Sequence, residues 1–243
     1  MKSTIISRIT FLAVIMLTGL SISACGNNFY KGNTVKESRD VSGFTKINLS
    51  ISGDLHLKQG NKYEVVLEGD KESLDKIETE VSGKSLNIKT KERMQWGNLG
   101  KVDIYITTPD VEAVSVSGSG DVMAETSIKS GNINLTISGS GTINIDNLSA
   151  DNLDATITGS GNMKLAGSLN NSSDVTITGS GDFKGDQLKG KSTVVHITGS
   201  GSAKVYASEK LNTHITGSGD VYYAGRPLVN ANSTGSGKTR SME

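Results

Sequence analysis

Two of the three histidines are the side chains best suited to hold a metal ion or move a proton, and they recur at equivalent places. His196 and His214 each stand three residues before a Gly-Ser-Gly triplet. If successive repeats stack, their rings lie side by side at the layer spacing of about 4.8 Å. Zinc requires a third or fourth ligand, and the equivalent position of the preceding repeat is Thr176. We therefore expect a surface pair, and we predict neither a metal nor a cofactor.

Carboxylates recur directly after the triplets. This position reads, in order, Asp121, Thr142, Asn162, Asp182, Ser202 and Asp220. Calcium needs clustered oxygen ligands and glycoside hydrolysis needs paired carboxylates, and acids that are separated by neutral residues provide neither. A second column, Lys164, Lys184 and Lys204, is typical of a solubilising face. A β-helical polysaccharide lyase or hydrolase stays open as the alternative function, and carboxylates grouped in a cleft would favour it.

A third pattern matches the P-loop expression. The segment runs from Gly185 to Ser192 and reads Gly-Asp-Gln-Leu-Lys-Gly-Lys-Ser. A P-loop must open a helix whose N-terminus holds phosphate. Here residues 193–198 alternate as a strand does, in phase with the other repeats, so we predict no nucleotide site.

The N-terminal residues resemble an export signal. Lys2 and Arg8 precede an apolar run over residues 9–20, which is too short to span a membrane. The tetrapeptide Ile-Ser-Ala-Cys that ends at Cys25 looks like a bacterial lipobox, which implies cleavage before Cys25 and acylation of its sulfur. We predict a lipoprotein signal peptide over 1–24 and a tether over 25–40. The protein is then exported and anchored in the cell envelope, with the outer membrane favoured because Gly26 follows the cysteine.

Seven Gly-Ser-Gly triplets dominate the rest of the chain, and their central serines are 21, 20, 20, 20, 18 and 18 residues apart. A period near 20 predicts a solenoid. Glycine supplies the room and the positive φ that a bend needs, so we assign a structural role to the glycines and expect both to point inward. They are Gly118, Gly120, Gly139, Gly141, Gly159, Gly161, Gly179, Gly181, Gly199, Gly201, Gly217 and Gly219.

The residues around each triplet alternate between apolar and polar, with no proline from residue 111 to 226. Strict alternation with β-branched residues predicts strands. We therefore predict an all-β fold, a right-handed single-stranded parallel β-helix with coils of about 20 residues and Gly-Ser-Gly turns. Its regular part covers 111–238, and Ser233, in place of the inward isoleucine, marks a degraded last coil.

Residues 41–110 are also strand-like, but less regular. We interpret them as irregular N-terminal β layers that continue into the solenoid, with one or two helical turns between Asp70 and Ile77. Gly53 and Gly83 each follow a serine and stand in what resemble worn copies of the later turn.

Composition limits the partners. The chain has 25 basic and 25 acidic residues, whereas a nucleic-acid-binding protein normally has a basic excess. With one cysteine in 243 residues, no intramolecular disulfide can form.

The combined motifs resemble a known family. They are Val41-Ser42-Gly43-Phe44-Thr45-Lys46-Ile47, Gly53-Asp54-Leu55, Gln59-Gly60, Tyr63-Glu64-Val65, and Val116-Ser117-Gly118-Ser119-Gly120-Asp121-Val122 with its repeats. This pattern is similar to the family "putative auto-transporter adhesin, head GIN domain", over roughly residues 38–225. The resemblance implies a β-helical envelope protein with an adhesion-type role, and it supplies no catalytic residues.

These observations favour a non-enzymatic protein, anchored to a lipid membrane through Cys25, that adheres or binds a ligand through the polar faces of the solenoid. A glycan or an envelope or matrix protein is the expected partner. The alternative is the carbohydrate-active enzyme of β-helical fold.

Overall fold

The protein is a β-solenoid of about six turns. A computed structural model describes residues 34–91 and 99–242. Strands account for 72% of the described residues and helix for 2%, which confirms the predicted all-β class and the stacked coils of about 20 residues.

The elements divide into an N-terminal set and a repeat set. The N-terminal set consists of β1 (Thr34–Arg39), β2 (Lys46–Leu49), β3 (Asp54–Gln59), β4 (Glu64–Asp70), α1 (Lys71–Asp75), β5 (Ile77–Ser82), β6 (Ser85–Thr90) and β7 (Val102–Thr108). The repeat set consists of β8 (Ala113–Gly118), β9 (Asp121–Ala124), β10 (Ile128–Gly139), β11 (Thr142–Gly159), β12 (Asn162–Gly179), β13 (Asp182–Lys189), β14 (Ser192–Gly199), β15 (Ser202–Tyr206), β16 (Lys210–Gly217), β17 (Asp220–Ala224), β18 (Leu228–Gly235) and β19 (Thr239–Ser241).

Parallel pairing joins these strands into three stacks. The pre-turn stack contains the segments that lead into a triplet, in the order β6, β2, β8, β10, β11, β12, β14, β16 and β18. The post-turn stack contains the segments that follow a triplet or its equivalent, in the order β7, β3, β9, β11, β12, β13, β15, β17 and β19. A short third stack joins β10 to β13 between the other two.

The core is formed by inward columns with one side chain per layer. In the pre-turn stack the column consists of Val116, Ile137, Ile157, Ile177, Ile197 and Ile215, and all six are buried. In the post-turn stack it consists of Val122, Ile143, Met163, Phe183, Ala203 and Val221, which are also buried. The layers bury each other's apolar side chains, as repeat architectures do.

The two glycines of a triplet serve different purposes. The second, such as Gly161, is buried, and a Cβ there would lie 2.7 Å from the carbonyl oxygen of Gly141. The first is only partly buried or exposed, so the expectation that both point inward is wrong for it. It needs glycine because its φ lies between 113° and 134°, and because a Cβ at Gly159 would lie 2.5 Å from the carbonyl oxygen of Gly139.

Antiparallel strands close the N-terminal end. β4 pairs with β7, β1 pairs with β4, and β5 pairs with β6, all antiparallel. Gly83 therefore lies in the tight turn between β5 and β6 and does not bend a coil, contrary to the sequence-based interpretation. Gly53 does lie in a coil bend, where its carbonyl oxygen accepts a hydrogen bond from the amide of Asp121 at 3.1 Å. β1 occupies residues 34–39, which the sequence assigned to the tether.

The helical turn expected between Asp70 and Ile77 is α1. Asp70 caps it by accepting a hydrogen bond from the amide of Ser73 at 2.9 Å. Hydrogen bonds from the Ser73 side chain and backbone hold the pKa of Asp70 below its usual range.

The C-terminal end has no comparable cover among the described residues. β18 pairs with β16 alone, and all eight of its residues are exposed, including Leu228 at 77%. Ser233 continues the inward column where earlier coils have isoleucine.

Candidate functional site

A groove of about 870 Å³ runs where the third stack meets the pre-turn stack. We call it the axial groove and define it by two outward columns on β10, β11 and β12. The first column consists of Asn132, Asn152 and Ser172, and the second consists of Asn134, Asp154 and Asp174. Alternation produces both columns, because Ile133 and Leu153 lie between them and point into the core.

Hydrogen bonds along the first column fix its side chains. Asn152 Nδ2 donates to Asn132 Oδ1 at 2.8 Å, and Ser172 Oγ donates to Asn152 Oδ1 at 3.1 Å. Each amide keeps a further donor or acceptor for a ligand. The groove therefore offers preoriented neutral polar groups, one set per layer.

The second column brings two carboxylates together. Asp154 and Asp174 are directly paired in the parallel register, one layer or about 4.8 Å apart. Both are exposed, and within the described residues neither has an ion-pair partner. The sequence-based view that the acids are isolated considered only the column after the triplets and overlooked this pair, although each aspartate stands five residues before its triplet.

That view is also wrong in the post-turn stack. Asp54 pairs in register with Asp103 on one side and with Asp121 on the other. Lys101 Nζ lies 3.6 Å from Asp54 Oδ2 and 3.3 Å from Asp103 Oδ1, so it neutralises two of the three. The register of the irregular layers was needed to find this group.

Next to these aspartates lies a cluster that sequence reasoning did not find, the His56 cluster. The His56 ring stacks on Tyr105, with centroids 4.8 Å apart and planes 14° from parallel. Its Nε2 lies 3.5 Å from Asp103 Oδ1 and its Nδ1 lies 2.9 Å from Glu125 Oε1. Lys58 Nζ lies 2.9 Å from Glu125 Oε2.

Electrostatics in the His56 cluster follow from these contacts. The hydrogen bond from Lys58 lowers the pKa of Glu125, and the same contact raises the pKa of Lys58. Burial, followed by the charge of Glu68, raises the pKa of Tyr105. The charged side chains of the cluster pair with one another, so the cluster links β3, β7 and the segment after β9.

The fold does not assemble the histidine pair or the P-loop match into a binding or catalytic site. His196 and His214 are neighbours in register, with ring centroids 6.1 Å apart and planes 52° from parallel. The P-loop match starts in β13 and ends at the start of β14, with no helix between. In the described part of the chain no three His, Cys, Asp or Glu residues group as metal ligands. Cys25 lies outside the described residues.

The parts of the chain that the structure describes contain no helix long and apolar enough to cross a membrane.

Solved structures share this architecture. A "putative adhesin" from Bacteroides fragilis NCTC 9343 is 23% identical, with a TM-score of 0.82 over 86% of this chain and 97% of that one. A "putative lipid binding protein" from Parabacteroides distasonis ATCC 8503 is 23% identical, with a TM-score of 0.69 over 88% and 98%. A "putative adhesin" from the same organism is 21% identical, with a TM-score of 0.72 over 87% and 98%. At these identities the likeness shows the fold. No curated protein matches the chain.

The family model described as "Putative auto-transporter adhesin, head GIN domain" matches residues 43–227. This range includes the antiparallel pairs of β4 with β7 and of β5 with β6, the glycine triplets from Gly118 to Gly219 and the axial groove. The chain belongs to this adhesin-type family.

Proposed function

We propose that the protein is a non-enzymatic, lipid-anchored envelope protein that binds a glycan in the axial groove. The observation that carries the proposal is the ordered pair of polar columns, Asn132-Asn152-Ser172 and Asn134-Asp154-Asp174, that line this groove. Its family and two of the three solved structures above are named adhesins, and the third is named a lipid binding protein, which is consistent with a binding role.

A glycan fits the groove better than other ligand classes. Amides, hydroxyls and carboxylates hydrogen-bond to sugar hydroxyls. The groove presents one set of these groups per layer, about every 4.8 Å, which suits a polymer whose monomers repeat at about that distance. A protein partner normally needs an apolar anchor in a pocket, and a lipid needs an apolar cavity. The outward columns of the groove provide neither.

Within the axial groove, the paired aspartates are the feature that favours the enzyme alternative. A separation of one layer, about 4.8 Å, is close to the about 5–5.5 Å between the carboxyl groups of a retaining glycosidase. Acid and base roles require two carboxyl groups in different surroundings, whereas Asp154 and Asp174 are both exposed and sit in equivalent positions of successive layers. The arrangement therefore supports ligand binding more than catalysis.

The test is a glycan array probed with the purified protein and with two double variants. Asp154→Ala with Asp174→Ala removes side chains that line the groove. Thr156→Ala with Thr176→Ala is the matched control, because these outward side chains lie two residues further along the same strands. We expect the first variant to lose binding and the second to keep it. Absence of any bound glycan, or release of reducing ends from a bound one, would contradict the proposal.

Membrane attachment is the second part of the proposal. The lipobox-like tetrapeptide supports acylation of Cys25, and only eight residues separate Cys25 from β1. An extended chain of that length spans at most about 30 Å, so the solenoid would be held close to the envelope surface.

A further inference from the structure

Three lysines form a straight row on the outward face of the post-turn stack. Lys164 pairs in register with Lys184, and Lys184 pairs with Lys204. All three side chains are exposed, and one layer, about 4.8 Å, separates each from the next. Like charges directly opposite each other on neighbouring strands are destabilising, so the row requires a source of negative charge.

The protein supplies that charge to only one of the three. Lys164 Nζ lies 3.1 Å from Asp146 Oδ1. Within the described residues, no carboxylate lies within ion-pairing distance of Lys184 or Lys204.

The nearest acidic column, which contains Asp182 and Asp220, makes hydrogen bonds or ion pairs with other groups. Asp182 Oδ1 accepts a hydrogen bond from Ser202 Oγ at 2.6 Å. Asp220 accepts hydrogen bonds from Arg240 and from the amide of Lys238. Two adjacent ammonium groups therefore face solvent without an ion-pair partner among the described residues.

Aromatic side chains continue and flank the row. Tyr222 pairs in register with Lys204, and Arg240 pairs with Tyr222 and lies 5.9 Å from its ring centroid. Tyr206 stands two residues beyond Lys204 on the same face of β15. Both tyrosines are half-buried, and aromatic rings beside cations can stack on sugar rings while the cations bind their charged groups.

We propose that the lysine row binds a linear acidic polysaccharide that carries carboxylates along its length. The row is a single line, bordered by Asp182 and Asp220 on one side and Asp146 and Asp186 on the other. A thin polyanion can lie along the line and avoid the acidic borders, whereas an anionic membrane is flat and would meet them. This site is on a different face from the axial groove and does not depend on the function proposed there.

The probe is polygalacturonate, with dextran as a neutral polymer, and binding is measured by calorimetry at several salt concentrations. Lys184→Gln with Lys204→Gln removes the two unneutralised charges. Lys189→Gln with Lys210→Gln removes two exposed lysines outside the row and is the matched control. We expect wild type to bind polygalacturonate and not dextran. The row variant should bind about five-fold more weakly or worse, with a shallower dependence of affinity on salt, and the control should bind like wild type.

Several results would overturn the proposal. One is that wild type does not bind polygalacturonate, and another is that the row variant and the control variant lose equal affinity for it. A third is that the lysine row binds phosphatidylglycerol vesicles or DNA more strongly than polygalacturonate. Thermal melting of each variant checks that the fold is intact. The groove variant Asp154→Ala with Asp174→Ala should still bind polygalacturonate, which separates failure at this site from failure at the axial groove.

Discussion

The triplet glycines show how little space a single residue has in this fold. A Cβ at Gly181 would lie 2.6 Å from Ile157 Cγ2 and 2.5 Å from the carbonyl oxygen of Gly161. The serine between the glycines is exposed, and its amide already donates to the preceding coil, as Ser160 does to the Gly139 oxygen at 2.9 Å. The turn is therefore defined by backbone contacts between layers and not by the serine hydroxyl.

Substitution within one triplet tests this reasoning. Gly161→Val should destabilise the protein by at least about 2 kcal/mol because it overpacks the interior. Ser160→Ala should change stability by less than about 0.5 kcal/mol because its side chain meets solvent. Urea unfolding gives both values, and comparable losses for the two variants would show that the serine has a structural role.

Glu125 in the His56 cluster should make stability depend on pH. Its pKa is lowered in the folded state, so the ionised carboxylate stabilises the fold. That stabilisation is complete above the ordinary carboxyl value of about 4.3 and is lost as the pH falls toward the depressed value. The stability difference between wild type and Glu125→Gln should therefore shrink between neutral pH and about pH 3.

The contact with Lys58 provides the control for that experiment. In a Lys58→Gln background, the pH-dependent part of the Glu125→Gln effect should be smaller, because Lys58 is the main cause of the pKa shift. A wild-type difference that stays constant over the whole pH range would contradict the assignment.

At the scale of the strand, the inward and outward columns should differ sharply in their sensitivity to truncation. Ile157 and Ile177 are fully buried in successive layers, whereas Thr158 is exposed. Ile157→Ala and Ile177→Ala should each cost about 2–5 kcal/mol, and Thr158→Ala less than about 0.5 kcal/mol. Denaturant unfolding measures these values, and similar losses at all three positions would mean that the faces are wrongly assigned.

The same columns show what a sequence can and cannot predict. The spacing of the triplets places Ile157 beside Ile177 and Lys164 beside Lys184, because each coil repeats the register of the one before. Around residues 41–110 the spacing is irregular, so neither the antiparallel turn at Gly83 nor the stacking of His56 on Tyr105 could be read from it. The Asp154-Asp174 pair was within reach of the spacing argument, but it lies outside the columns nearest the triplet.

Gln59 belongs to the Gln59-Gly60 motif, but the repeat spacing does not reveal what its side chain contacts. Its side-chain amide donates to the carbonyl oxygens of Pro109 and Lys129, at 2.9 and 3.0 Å, and its Oε1 accepts from the amide of Lys129 at 2.6 Å. It thereby joins the end of β3 to the beginning of the regular coils. These partners are 50 and 70 residues away in the chain, so only the three-dimensional structure shows them.

At the scale of the whole molecule, the proposed attachment to a membrane through Cys25 can be tested directly. Metabolic labelling with a fatty-acid analogue should mark the wild-type protein, and Cys25→Ala should lose both the label and membrane association. Cys25 is the only cysteine of the chain, so no second thiol can take its place. A label that persists in the variant would contradict the lipobox assignment.

The unequal ends of the solenoid give its unfolding a direction. Antiparallel strands hold the first layers, whereas β18 has one neighbour and is exposed along its whole length. Because contacts in a repeat protein connect mainly adjacent layers, thermal fluctuations should release β18 first, then β16 and then β14, one layer after another. Amide hydrogen exchange should therefore be fastest in β18 and slow progressively toward β8, and protease cleavage under native conditions should shorten the chain from its C-terminal side.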